Sequence, residues 1–137
     1  KVIYISKNCL KIANLNATSL KVHTRLKLYK SNVDKFSLGK YDLIVSNPPY
    51  IRKDDPYLSE LIFEPSKALI SGDDGLEAIE IIASNAMDYL SSEGQIFIEH
   101  GKDQEREIQK IFELNNWKDI ICYRDLGGLP RITTAKF

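Results

Sequence analysis

The chain has 137 residues, 43% apolar and 28% charged, enough for one globular core. Its 19 basic and 19 acidic residues cancel, so the sequence lacks the net positive charge with which nucleic-acid-binding domains commonly neutralise phosphates. Cys9 and Cys122 stand far apart with no His/Cys cluster, which excludes zinc-finger spacing and a disulfide framework. Apolar runs reach only about five residues where roughly 20 cross a bilayer, so a soluble protein of the reducing cytoplasm is expected.

The first residue is Lys1, and the chain is expected to begin inside a longer polypeptide. Val2 to Ile5 predicts a strand. Ser6 is placed to cap a helix whose apolar positions are Leu10, Ile12, Ala13 and Ala17, and Arg25 to Tyr29 predicts a second strand. Tyr41 to Ser46 is a nearly unbroken apolar run, the form of a buried strand, and it ends at Asn47-Pro48-Pro49-Tyr50 because neither helix nor central strand continues through two prolines.

Residues 51 to 74 carry Pro56, Pro65 and Gly72 and predict a long excursion, irregular or briefly helical, of a length often tied to function. Leu76, Ile79, Ile82, Ala83, Ala86 and Leu90 form a helical stripe that Gly94 is expected to close, and Gln95 to Glu99 predicts a strand. Asp103 to Leu114 predicts a helix, apolar at Ile108, Ile111 and Phe112. Trp117 to Tyr123 and Arg131 to Phe137 flank Gly127-Gly128 as an antiparallel pair. Phe97, Phe112 and Trp117 are assigned to the core, and alternating strands and helices predict an α/β fold with a largely parallel sheet.

Chemistry concentrates at Asn47. A strand ending there sets its carboxamide at the carboxyl edge of the sheet, where open α/β folds bind ligands. Pro48 and Pro49 donate no N–H groups, so the carbonyls of Ser46, Asn47 and Pro48 are expected to face the pocket without local amide partners. An incoming NH2 group supplies those donors. Held by the Asn47 side-chain oxygen and the Pro48 carbonyl, with Tyr50 against its flat face, a planar nitrogen would be aimed at a methyl donor.

The Ser46 to Tyr50 segment resembles the signature of Rossmann-like methyltransferases acting on amino or amide nitrogens, a motif that does not by itself separate protein-glutamine from adenine-N6 enzymes. Ile51, Phe63-Glu64-Pro65, Ala68-Leu69 and Gly72-Asp73-Asp74-Gly75-Leu76 resemble the HemK/PrmC-type protein-glutamine methyltransferases. Glu99-His100-Gly101 with Gln104, and Arg124 to Gly128 followed by Arg131, resemble the release-factor branch of that family. The resemblance implies a class I S-adenosylmethionine-dependent methyltransferase fold, with residues 1–137 as one partial domain. It also implies methyl transfer from S-adenosylmethionine to the glutamine nitrogen of the Gly-Gly-Gln loop of peptide chain release factors, a step in translation termination. Asn47, Pro48, Pro49 and Tyr50 take the catalytic and substrate-binding positions, and Tyr4, Asn32, Val33 and Asn47 the cofactor positions.

The sequence departs from that family at several points. No glycine-rich cofactor loop precedes Asn47, so the first strand and its loop are expected to lie outside the 137 residues, as is the helical substrate-recognising domain. Tyr4 stands where an acidic residue normally grips the ribose, and Asn32-Val33 where Asp and a large apolar residue flank the adenine. Two other readings stay open: an adenine-N6 nucleic-acid methyltransferase, and a non-catalytic fragment or subunit. An ordinary strand-ending turn is the bland account of Asn47 to Tyr50. His100 is read as structural, and Arg52, Lys53 and Arg131 are assigned to solvent unless a protein substrate meets them.

Overall fold

The computed structural model describes residues 1–36 and 38–137, and the chain divides into two compact units, Lys1–Ser37 and Leu38–Phe137. In the first unit, strand β1 (Val2–Tyr4) leads into helix α1 (Lys7–Ser19), which returns the chain to strand β2 (Leu28–Lys30). The strands pair in parallel with Val2 opposite Leu28 and Tyr4 opposite Lys30. Ser6 caps α1 as its sequence position predicts, its hydroxyl accepting from the Cys9 amide at 3.4 Å. Ala17 is the buried position of that helix, whereas Ile12 is exposed. Tyr29 and Phe36 meet with ring centroids 5.4 Å apart.

The second unit holds strand β3 (Tyr41–Ser46), helix α2 (Ser66–Leu69), helix α3 (Glu77–Ala86), strand β4 (Leu90–Glu99), helix α4 (Glu105–Leu114), strand β5 (Lys118–Arg124) and strand β6 (Pro130–Lys136). Its sheet runs in the order β3-β4-β6-β5. β3 and β4 are parallel, while β6 returns antiparallel to both β4 and β5. The sheet is therefore mixed rather than largely parallel, because the terminal hairpin inserts its last strand next to β4.

Period-2 alternation divides this sheet into two faces. Ile96, Ile98, Thr133 and Ala135 are buried on the face against which α3 and α4 pack with Ile79, Ile82, Ala83, Ile108, Ile111 and Phe112. Phe112 meets Trp117 at 5.3 Å between centroids, and the Trp117 indole donates to the Ala83 carbonyl at 3.0 Å, tying α3 to the segment after α4. Asn116 at φ 62° ends α4, with its own amide bonded to the Glu113 carbonyl and the Trp117 amide to that of Phe112.

Three expectations need correction. β3 is an edge strand, with Leu43 54% and Val45 71% exposed, so its apolar run does not mark burial on both faces. Phe97 shares that open face and is only half-buried. Gly94 lies inside β4 and does not close α3: a Cβ there would come within 2.9 Å of Leu90 side-chain atoms and of the Tyr41 carbonyl, so a side chain is excluded by the close approach of β3. No helix among the described residues is long and apolar enough to cross a membrane.

Phe112 is fully buried at the junction of α4 with the sheet and Trp117. Phe112→Ala is expected to cost about 3–5 kcal/mol of stability, read from the midpoint shift in urea unfolding.

Candidate active site

β3 ends at Ser46, and the following Asn47-Pro48-Pro49-Tyr50 runs out at the carboxyl edge of the sheet. Beyond it the chain makes its long excursion and closes on itself. Ile51 donates to the Leu69 carbonyl at 2.9 Å and accepts from the Ser71 amide at 3.0 Å, and the Lys53 amide bonds the Gly72 carbonyl at 3.2 Å. Within the excursion Asp55 caps a short 3-10 turn at Pro56–Glu60 by accepting from the Tyr57 amide. Where the excursion meets α3, the buried Ser71 hydroxyl accepts from the Ala78 amide at 2.7 Å and serves as the cap that Leu76 cannot provide.

These elements enclose a cavity of about 1040 Å³ lined by Asn47, Pro48, Pro49, Tyr50, the excursion, Gly101 to Gln104 and Arg131. Its lining carries Asp55, Glu64, Asp74, Asp103 and Glu107 against Arg52, Lys102 and Arg131, an acidic balance. A smaller cavity of about 100 Å³ opens on the sheet face beside Val45, Ser46, Asn47, Phe97, Glu99 and Ile132. Asn47 is the residue that lines both.

Tyr50 is fixed at several points. Its hydroxyl donates to Glu99 at 3.3 Å, and its carbonyl accepts from the Gln104 carboxamide at 3.1 Å. Burial, followed by the Glu99 charge and hydrogen bond, pushes the phenol above its ordinary pKa against the opposing Arg131, so Tyr50 stays protonated at neutral pH and is not a base. Arg131 is half-buried, donating to the His100 carbonyl at 3.4 Å and pairing with Asp125 at 3.5 Å. It is a wall of the cavity rather than the solvated charge expected. Lys53 meets the other part of that expectation: it is exposed and pairs with Asp73 at 2.6 Å.

His100 is walled off. It is wholly buried, with Nδ1 2.9 Å from the Gly101 carbonyl and Nε2 3.0 Å from the Thr133 hydroxyl. A neutral ring that donates from Nδ1 and accepts at Nε2 satisfies both contacts. Burial holds its pKa below the usual histidine value, consistent with the structural role read from the sequence.

In the first unit, Tyr4 ends β1 and Asn32-Val33 follow β2, so parallel pairing brings them to one carboxyl edge. The Ser31 amide bonds the Tyr4 carbonyl at 3.1 Å, and the exposed Asn32 side chain caps nothing in the 3-10 turn Val33–Lys35 that it precedes. Asn47, Pro48, Pro49 and Tyr50 come together in the second unit on the large cavity. Gln104 and Glu99, which anchor Tyr50, stand out in the sequence only through the family resemblance. Their reach across about 50 residues leaves no local pattern to read.

No protein-family model matches the chain. Across 98% of its length the structure matches 55% of a ribosomal protein L11 methylase from Lactobacillus delbrueckii subsp. bulgaricus, with a TM-score of 0.69 at 18% identity. The fold is that of the Rossmann-like class I S-adenosylmethionine-dependent methyltransferases. By sequence, the chain is 37% identical over 131 residues to the release factor glutamine methyltransferase of Coxiella burnetii, covering 96% of this chain and 47% of that protein. It is 38% identical over 136 residues to the protein of the same name from Buchnera aphidicola subsp. Acyrthosiphon pisum, covering 96% and 48%. Over most of its length the chain is similar in sequence to proteins named release factor glutamine methyltransferase, and it spans about half the length of these relatives.

Two outcomes follow from this geometry. Because the fold lowers the pKa of His100, the unfolded chain binds a proton there that the native chain refuses. Its stabilising contribution is full above the unfolded value near 6.5 and lost as the pH falls through the lower folded value. Urea unfolding at pH 7.5 and 5.5 should show the drop, and His100→Gln should flatten it. At Gly75, with φ 81°, an added Cβ would lie 2.4 Å from the Tyr50 carbonyl oxygen. Gly75→Ala should therefore displace the Tyr50 backbone, seen as shifted backbone amide resonances around Ile51.

Proposed function

We propose that this chain forms the substrate-nitrogen end of an N5-glutamine methyltransferase acting on the Gly-Gly-Gln loop of peptide chain release factors, in the cytoplasm and in the service of translation termination. The observation that carries the reading is the position of Asn47: at the carboxyl end of β3, bordering both the large cavity and the small one. A planar amide entering the large cavity meets there a carboxamide oxygen and a backbone whose two prolines offer no competing N–H donors.

The chemistry asked of the chain is positioning. Tyr50 is held protonated and His100 is sealed in the core, so neither is offered as a general base. A poor nucleophile whose nitrogen gains positive charge is served by oriented carbonyl dipoles, which the Asn47 side chain and the Pro48 carbonyl supply in this proposal. S-adenosylmethionine, when bound, supplies an electrophilic methyl group. Asn32 and Val33 fit its adenine, since the Asn32 carboxamide is exposed and uncommitted to a cap. Tyr4 offers the ribose one hydroxyl where a carboxylate would accept two. Residues 1–137 are proposed as one partial domain of the complete enzyme.

The acidic balance of the cavity lining favours a protein loop over nucleic acid, because phosphates approaching Asp55, Glu64, Asp74, Asp103 and Glu107 would be repelled. Calorimetric titration of the 137-residue chain with a Gly-Gly-Gln peptide, sensitive to a dissociation constant of about 1 mM, tests the reading. The glutamine peptide should bind, and a Gly-Gly-Glu peptide should bind at least about tenfold more weakly for lack of the NH2 donors. Asn47→Ala should produce a comparable loss. Equal affinity for both peptides, or tight and salt-sensitive binding of an adenine oligonucleotide, would overturn it.

A further inference from the structure

We propose that Gln104 is the positioning residue of the amide site, acting through Tyr50. The inference rests on the glutamine-substrate reading above and deepens it. One carboxamide makes three long-range or loop contacts: its oxygen accepts from the Gly101 amide at 2.9 Å, and its nitrogen donates to the Tyr50 carbonyl at 3.1 Å and to the Gly75 carbonyl at 3.4 Å. It thereby joins the loop after β4, the loop before α3 and the end of the Asn-Pro-Pro-Tyr segment.

Two further features show that this arrangement serves Tyr50. The peptide unit joining Tyr50 to Ile51 is held at both ends, its carbonyl by Gln104 and its N–H by the Leu69 carbonyl at 2.9 Å. Gly75 is the only residue type that permits the approach, since a Cβ would sit 2.4 Å from the Tyr50 oxygen and 2.9 Å from the Gln104 nitrogen. With its carbonyl occupied, Tyr50 does not compete with Asn47 and Pro48 for the substrate NH2 group. With its backbone and hydroxyl both fixed, its ring keeps one orientation against the cavity. Gln104 touches no reacting atom in this account; it sets the geometry of the residue that does.

The test uses the 137-residue chain and the Gly-Gly-Gln peptide. Gln104→Glu keeps the shape and the acceptor but, when ionised, removes the donor to Tyr50. Its peptide affinity should fall about tenfold at pH 7 and recover as the pH drops toward the ordinary glutamic-acid value near 4.3, where a protonated carboxyl donates again. The wild-type chain in the same buffers should show no such recovery. If Gln104→Glu binds as wild type does at pH 7, or stays weak at every pH while folded, the Gln104 inference is overturned and the glutamine reading stands. If the wild-type chain binds no peptide, the glutamine reading itself fails and takes the inference with it. Should the variant not fold, hydrogen exchange in the wild-type chain decides: bound peptide should slow the Ile51 and Gly101 amides together, and unchanged exchange at both would overturn the proposal.

Discussion

The second unit depends on a single peptide plane. Between Tyr50 and Ile51 the chain has just left a strand through two prolines that donate nothing, and it must still satisfy a carbonyl and an N–H at a half-buried position. The N–H goes to Leu69, which forces the excursion to close back on its own start; the carbonyl goes to Gln104, which forces α4 to begin beside it. The walls of the large cavity are what these two bonds bring together. Gly75 is the steric counterpart of the same plane, since any side chain there would evict the carbonyl.

Much of this architecture was legible along the chain, because it is written in local signals. Ser6 before a helical stripe, two prolines after an apolar run and paired glycines between two β-rich segments each dictate their own neighbourhood through capping, φ restriction or turn geometry. The same local logic placed Asn47 at a strand end and sealed His100 off from chemistry. What failed were inferences from local pattern to global position. The apolar run of β3 predicts a strand covered on both sides, yet composition does not say which neighbour a strand receives, and within its unit β3 stands at the edge. As sequence, Gly94 reads as a helix stop because glycine follows helices often; its cause lies in the distant Tyr41, whose carbonyl leaves no room for a Cβ.

The site divides in the same way. Asn47 to Tyr50 are contiguous and carry their own signature. Glu99, Gln104 and Arg131 act on them from 49 or more positions away, through contacts that only the folded chain creates. Arg131 illustrates the limit: in the sequence it enters through the family resemblance and is assigned to solvent, whereas in the fold it bonds the His100 carbonyl and Asp125 and borders the cavity.

On the proposed reading, the electrostatics of the cavity follow from what the substrate is. A glutamine side chain is neutral and planar, offers two donors and needs no deprotonation by a strong base before a sulfonium methyl reaches it. A site for it is better built from fixed acceptors than from titrating groups. The residues around Asn47 conform: a phenol held protonated by burial and by Glu99, a buried histidine with both nitrogens spent, and two prolines that bring no N–H donors of their own. Such a site gains nothing from a perturbed base but is sensitive to a small rotation of any carbonyl it uses. That sensitivity is the physical reason for binding the Tyr50–Ile51 plane from both sides and for placing at its crossing point an uncharged carboxamide, which can donate and accept without adding a charge of its own to the cavity.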